Sequence, residues 1–264
     1  MFDNGQTVYF ETQGDGPPVI LIHGMAASLR QWDYLMPQLV NAGFSAYALD
    51  LQGHGNSPKP EGAEHYHIET LFNQLNLWIE NLELDQPAIL IGHSFGGYLS
   101  LLYALRNPEK VQRLVLADPF YSPFQLSPFV RYFAQQSQIG IRVLEWLPAW
   151  VVDMGMYWSE KVQQALPRPV HRQLAVDFKR TTPLFLNITR TAKDLTPQLS
   201  QVQHPTLVMW GSEDMTLAPA SFPRIVEELP EVKSHIFQGC GHIPHLTQAN
   251  SFNQFVLDFV TSFE

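Results

Sequence analysis

The sequence predicts an α/β fold, with a mostly parallel central sheet and helices on both of its faces. Three observations predict it. Short apolar runs bounded by turn residues alternate with longer segments whose apolar residues recur three and four apart, the pattern of strands alternating with helices. Most of the strand runs are too continuously apolar to keep a solvent face, and strands buried on both sides read this way. The 264 residues suffice for one large α/β domain, or two small ones, with a core that needs no disulfide or metal staple.

In chain order, Thr7–Gln13 alternates and runs into the turn Gly14-Asp15-Gly16-Pro17-Pro18, so it reads as an antiparallel edge strand. Interior strands are predicted at Val19–His23, Phe44–Asp50, Ala88–Gly92, Val111–Asp118 and Thr206–Gly211, with a further strand at Lys233–Phe237. Helices are predicted at Leu29–Ala42, His65–Asn81, Ser94–Asn107, Ala218–Leu229 and Asn250–Phe263, the third stopped by Pro108. The rhythm breaks between Pro119 and Ser200. Ten aromatics stand among the forty residues Pro119–Trp158, where the average for this chain would give about five. Phe120, Tyr121, Phe124, Phe129, Tyr132, Phe133, Trp146, Trp150, Tyr157 and Trp158 share that stretch with only four charges, Arg131, Arg142, Glu145 and Asp153. This segment is an ordinary helical hairpin or an inserted helical cap that roofs a pocket. The domain reading is residues 1–118 and 201–264 as one α/β unit, with 119–200 as the cap inserted in it.

Charged residues are only 16% of the chain, well under the usual quarter, so more of the surface than usual is neutral and self-association stays open. The net charge of −9 repels phosphate backbones and anionic lipid, which argues against a nucleic-acid partner. Cys240 is the single cysteine, so the fold needs no oxidising compartment and a cytoplasmic location is expected. Neither a signal-peptide pattern nor an apolar run long enough to span a membrane is found.

At the end of the apolar run Pro87-Ala88-Ile89-Leu90-Ile91 stands Gly92-His93-Ser94-Phe95-Gly96-Gly97, followed by a helical pattern. This is G-x-S-x-G between strand and helix, where a serine on a sharp turn needs neighbours without side chains. A serine hydroxyl is a weak nucleophile without a base and a group to orient that base. Downstream, Gly211-Ser212-Glu213-Asp214 follows one strand and Gly239-Cys240-Gly241-His242 follows the last. With His23-Gly24-Met25 and Asp50-Leu51-Gln52-Gly53-His54-Gly55-Asn56-Ser57, these make five motifs in order over nearly the whole length. In them the chain resembles the α/β-hydrolase superfamily.

The resemblance implies the α/β-hydrolase fold, Ser94 as nucleophile, His242 as general base then acid, and Asp214 as orienting carboxylate. It also implies an oxyanion hole from the backbone N–H groups of Met25 and Phe95. Asp118, at the end of its own strand, is the rival orienting carboxylate. His23 and His54 are expected to shape loops, and Cys240 to pack. His65, His67, His242 and His245 lack neighbouring Cys or acidic residues to complete a metal shell, and no phosphate-binding loop occurs, so neither metal nor cofactor is expected. A serine at position 94 argues against the dehalogenases and epoxide hydrolases of the superfamily, which need an aspartate there. The activity implied is cofactor-free hydrolysis of a small to medium, largely apolar carboxylic ester. The alternatives are carbon–carbon bond cleavage of a carboxylate-bearing substrate, with Arg131, Arg142, Arg168, Arg172, Arg180 or Arg190 as partner, or a small-molecule receptor of low turnover.

Overall fold

Seven strands form one sheet in the order β1-β3-β2-β4-β5-β6-β7 in the computed structural model, which describes residues 8–126 and 166–262. They are β1 (Phe10–Gln13), β2 (Pro18–Ile22), β3 (Ser45–Leu49), β4 (Ala88–His93), β5 (Val111–Ala117), β6 (Thr206–Gly211) and β7 (Val232–Phe237). Each coincides with a predicted strand to within a few residues. Only β1 is antiparallel, pairing with β3 from Phe10 opposite Leu49 to Gln13 opposite Ala46 at the sheet edge.

The apolar strands hide a period of two that has no polar phase to reveal it. Ile20 and Ile22, Leu90, Leu114 and Leu116, and Val208 face one core. Their neighbours Val19 and Leu21, Ile89 and Ile91, Val115, and Leu207 and Met209 face the other. On the first side α2 (Ile68–Asn81) and α3 (Phe95–Arg106) supply Leu71, Phe72, Leu75, Leu99 and Tyr103. On the second, α1 (Met36–Asn41) and the C-terminal helix α7 (Ala249–Thr261) supply Leu39, Phe252 and Val256. Burial on both faces is what a parallel sheet between helix layers requires. Among the described residues no helix is long and apolar enough to cross a membrane.

Two predicted helices are split. Leu29–Ala42 becomes a 3₁₀ turn at Leu29–Trp32, capped by Ser28, followed by α1. Ala218–Leu229 becomes a 3₁₀ turn at Pro219–Ser221 followed by α6 (Phe222–Glu228). Pro37 and Pro223 sit in the first turn of the α-helical parts. A proline lacks the N–H that would continue a preceding helix, so it restarts one instead. Between β5 and β6 the described residues carry α4 (Arg168–Arg180), α5 (Asn187–Thr191) and short 3₁₀ turns, and no strand. Phe120 and Tyr121 are buried, whereas Phe124 is 73% exposed and does not line a closed pocket. The other seven aromatics of the stretch, and its four charges, lie outside the described residues.

The topology places one end of the sheet at the service of a site. From β2 the chain turns to β3 on one side and then crosses to β4 on the other, so the loops after β2 and β4 diverge and leave a crevice. Ile22 pairs with Gly92, His93 with Ala117, Ala117 with Met209, and Gly211 with Phe237. The carboxyl ends of five strands therefore meet.

Candidate active site

Ser94 follows β4 directly, and its backbone sits at φ 50°, ψ −113°, a strained conformation for a residue with a side chain. The surroundings hold it there. Its N–H donates to the Ala117 carbonyl at 2.9 Å, and its own carbonyl accepts from Phe120 N–H at 3.0 Å and from Tyr98 N–H at 3.2 Å. The first residue of α3 is Phe95, so Ser94 stands at a helix N-terminus, where free N–H groups and the helix dipole favour negative charge.

The glycines are required for contact. A Cβ on Gly92 would lie 2.4 Å from the Gly96 carbonyl oxygen, and one on Gly96 would lie 2.0 Å from the Ile22 carbonyl oxygen. Gly96→Ala is expected to force α3 off β2 and lower the melting temperature by about 6 °C or more, measured by circular dichroism. A Cβ on Gly24 would come within 3.2 Å of Ser94 Cβ, so the loop carrying Met25 passes beside Ser94. Met25 is half-buried; Phe95 is fully buried and stacked on Tyr98 at a ring distance of 6.2 Å.

Asp214 and His242 come together. Asp214 Oδ2 lies 2.7 Å from His242 Nδ1, so the ring donates there and keeps Nε2 as its other nitrogen. The carboxylate is fixed from behind, its Oδ1 accepting from Thr216 N–H at 2.7 Å and Leu217 N–H at 3.0 Å. Its side chain is wholly buried, while 16% of His242 is exposed. Its neighbour Glu213 is exposed.

The histidines expected to shape loops do so. The ring of His23 donates from Nδ1 to the Gly24 carbonyl at 2.6 Å, while Nε2 accepts from Leu51 N–H at 2.9 Å, tying the loop after β2 to the loop after β3. His54 donates from Nδ1 to the Gln52 carbonyl at 3.0 Å. Burial pushes His23 down to about 4 and His54 down to about 3, so both stay neutral. Asp50 secures the same loop, accepting from Leu29 N–H at 2.8 Å and Asn56 N–H at 2.7 Å. Cys240 is buried beside Thr247, its Sγ 3.0 Å from the hydroxyl. His65 and His67 stand at the start of α2, half-buried and exposed, and join no cluster of acidic, histidine or cysteine groups among the described residues.

Three features escaped the sequence. His93 Nε2 lies 2.8 Å from the His242 carbonyl, so the residue before Ser94 donates to the main chain of the facing histidine. Gln31 Oε1 accepts from Gly24 N–H at 3.1 Å and stands 3.2 Å from His93 Nδ1. Asp118, weighed in sequence as a rival of Asp214, is instead its neighbour: one oxygen or nitrogen from each of Asp118, Asp214 and His242 lies within 4.8 Å of the others. His93, inside the G-x-S-x-G motif, and Asp118, at its strand end, are visible in the sequence, but their spacing carries no hint of what they touch.

Comparison with known proteins agrees with this architecture. The chain is 25% identical over 261 residues to the AB hydrolase superfamily protein YisY of Bacillus subtilis, covering 97% of this chain and 96% of that one. It is 26% identical over 256 residues to a 2-hydroxy-6-oxo-2,4-heptadienoate hydrolase of Pseudomonas putida, covering 94% and 91%. The structure superposes on an esterase from Exiguobacterium antarcticum with a TM-score of 0.83 at 21% identity, covering 98% and 97%. The sequence profile described as alpha/beta hydrolase fold matches residues 17–249, and the chain belongs to that family.

Proposed function

We propose that the chain is a cofactor-independent serine hydrolase that cleaves small to medium, largely apolar carboxylic esters. The observation that carries this reading is the strained Ser94 at a helix N-terminus, in a fold that also builds a hydrogen-bonded Asp214–His242 pair at the same end of the sheet. Strain of this kind, held by surrounding hydrogen bonds, is characteristic of functional positions.

In the proposed reaction Ser94 Oγ attacks the acyl carbon while His242 Nε2 takes the hydroxyl proton. Asp214 holds the opposite ring nitrogen and stabilises the imidazolium as it forms. The backbone N–H groups of Met25 and Phe95 receive the oxyanion; one such donor is typically worth about 3 to 4 kcal/mol. As the tetrahedral intermediate collapses, the carbon–oxygen bond breaks and His242 gives its proton to the leaving alcohol. A water deprotonated by His242 then attacks the acyl-enzyme, and the second collapse releases the acid and restores Ser94. Residues 119–200 act in this reading as a cap over the acyl site. The low charge of their aromatic stretch favours an apolar acyl group.

Carbon–carbon bond cleavage is the second reading, and the 2-hydroxy-6-oxo-2,4-heptadienoate hydrolase relative favours it. Such a substrate bears a carboxylate. Of the arginines considered for it, Arg180 bonds Asn56 Oδ1, while Arg131 and Arg142 lie outside the described residues. Steady-state assays of a chromogenic ester series of rising acyl length, beside a 2-hydroxy-6-oxo-dienoate, separate the two. The ester reading expects multiple turnover on esters with a clear optimum in chain length. Turnover of the dienoate alone would replace it with carbon–carbon cleavage, and ligand binding without turnover would indicate a receptor.

A further inference from the structure

Asp118 is wholly buried at the end of β5, in a left-handed backbone conformation at φ 41° that aspartate tolerates better than most residues. Its N–H donates to the Met209 carbonyl at 2.7 Å. Oδ1 accepts from Gly211 N–H at 2.9 Å, so the side chain bridges β5 to the end of β6. Oδ2 has no donor among the described residues, although it is buried and its carboxyl adjoins that of Asp214. A buried carboxylate oxygen with no donor, facing a second carboxylate, would be doubly unfavourable.

The distribution of donors decides which of the two holds the charge. Three N–H groups converge on Asp214, from Thr216, Leu217 and His242, against the single one on Asp118. We propose that Asp118 is a neutral carboxylic acid that donates its Oδ2 proton to the Asp214 carboxylate, and so acts as a positioning residue behind the Asp214–His242 pair. Burial first, and then the Asp214 charge, push the Asp118 carboxyl well above its usual range. Among the titratable groups around it, Asp214 touches it, a His242 ring nitrogen lies within 4.8 Å of one of its oxygens, and His93 at the end of β4 is kept neutral by burial. The role in catalysis rests on the serine-hydrolase reading; the protonated pair does not.

The consequence for His242 is specific. A proton shared from Asp118 draws charge away from Asp214 and weakens its hold on an imidazolium. Asp118→Asn keeps the shape, with an amide oxygen for Gly211 N–H and an amide N–H for Asp214. It should therefore retain kcat/KM within about threefold and leave the acid limb of the pH–rate profile in place, whereas loss of an orienting carboxylate costs about ten-thousandfold. Asp118→Val removes the donor and should move that limb to higher pH. A drop of about ten-thousandfold in Asp118→Asn, or an acid limb displaced to lower pH, would show that Asp118 is ionised and overturn the proposal. The pair is also read without any substrate. Infrared difference spectra of wild type minus Asp118→Asn at neutral pH should show the carbonyl stretch of a protonated carboxylic acid, and its absence would equally overturn the proposal. If Asp118→Asn does not fold, the carboxyl-carbon resonance of Asp118 in isotope-labelled wild type gives the same answer. Should no substrate turn over, the hydrolase reading fails, while these two spectra still decide the pair.

Discussion

Ser94→Ala is expected to lower turnover on any substrate the wild type cleaves by about ten-thousandfold or more, because removing the nucleophile of such a triad leaves only binding and oxyanion stabilisation. Steady-state kinetics beside circular dichroism tests this, and a folded variant keeping a tenth of the activity would exclude Ser94 as nucleophile. The backbone gives a second handle. Alanine at position 94 inherits the strain of φ 50°, whereas glycine visits positive φ freely. Ser94→Gly should therefore be equally inactive yet more stable than Ser94→Ala by about 1 kcal/mol in urea unfolding. Equal stability of the two would mean that the turn stores no strain.

Mild acid should destabilise the protein, which follows from four histidines that have no room for charge. His23 is pushed down to about 4, His54 and His245 to about 3, and His93 well below its ordinary value of 6.5, in each case chiefly by burial. Above pH 6.5 these rings are neutral both folded and unfolded, and they contribute nothing to the pH dependence. Below it the unfolded chain takes up protons that the folded chain refuses, so stability falls by about 1.4 kcal/mol per pH unit per ring until the folded value is reached. By pH 5 His23, His54 and His245 have each withdrawn about 2 kcal/mol, roughly 6 together, and His93 adds to the loss. Asp118 and Asp177 have the opposite sign, since burial raises both and the folded state binds their protons first. Their gain offsets part of the loss from the rings, and what remains is a large part of the 5 to 15 kcal/mol that holds a domain together. Urea midpoints measured between pH 6.5 and 5 should fall steadily, and a constant midpoint would show that these rings ionise in place.

The strands were legible because burial on both faces leaves continuous apolar runs such as Val19–Ile22 and Ile89–Ile91, which few other elements produce. Helix limits were less so: Pro37 and Pro223 looked compatible with helix and act as its first turn, which a periodicity of apolar residues does not register. The candidate site divides in the same way. Ser94, Asp214 and His242 announced themselves through the small residues that flank them. Their supporting contacts did not. That His93 reaches the His242 main chain and that Asp118 abuts Asp214 follow from which strand ends lie together. Adjacency of β4, β5 and β6 is a property of topology, and no local spacing encodes it.

The meeting of five strand ends carries a consequence for how the molecule comes into being. Gly24, Ser94, Asp118, Asp214 and His242 span most of the chain, and each is positioned by a different strand. No local segment holds more than one of them, so the full set comes together only when the last strand has docked and every long-range pairing before it has closed. The proposed chemistry is thus a property of the finished sheet, and a partly assembled intermediate carries the proposed nucleophile without its proposed base.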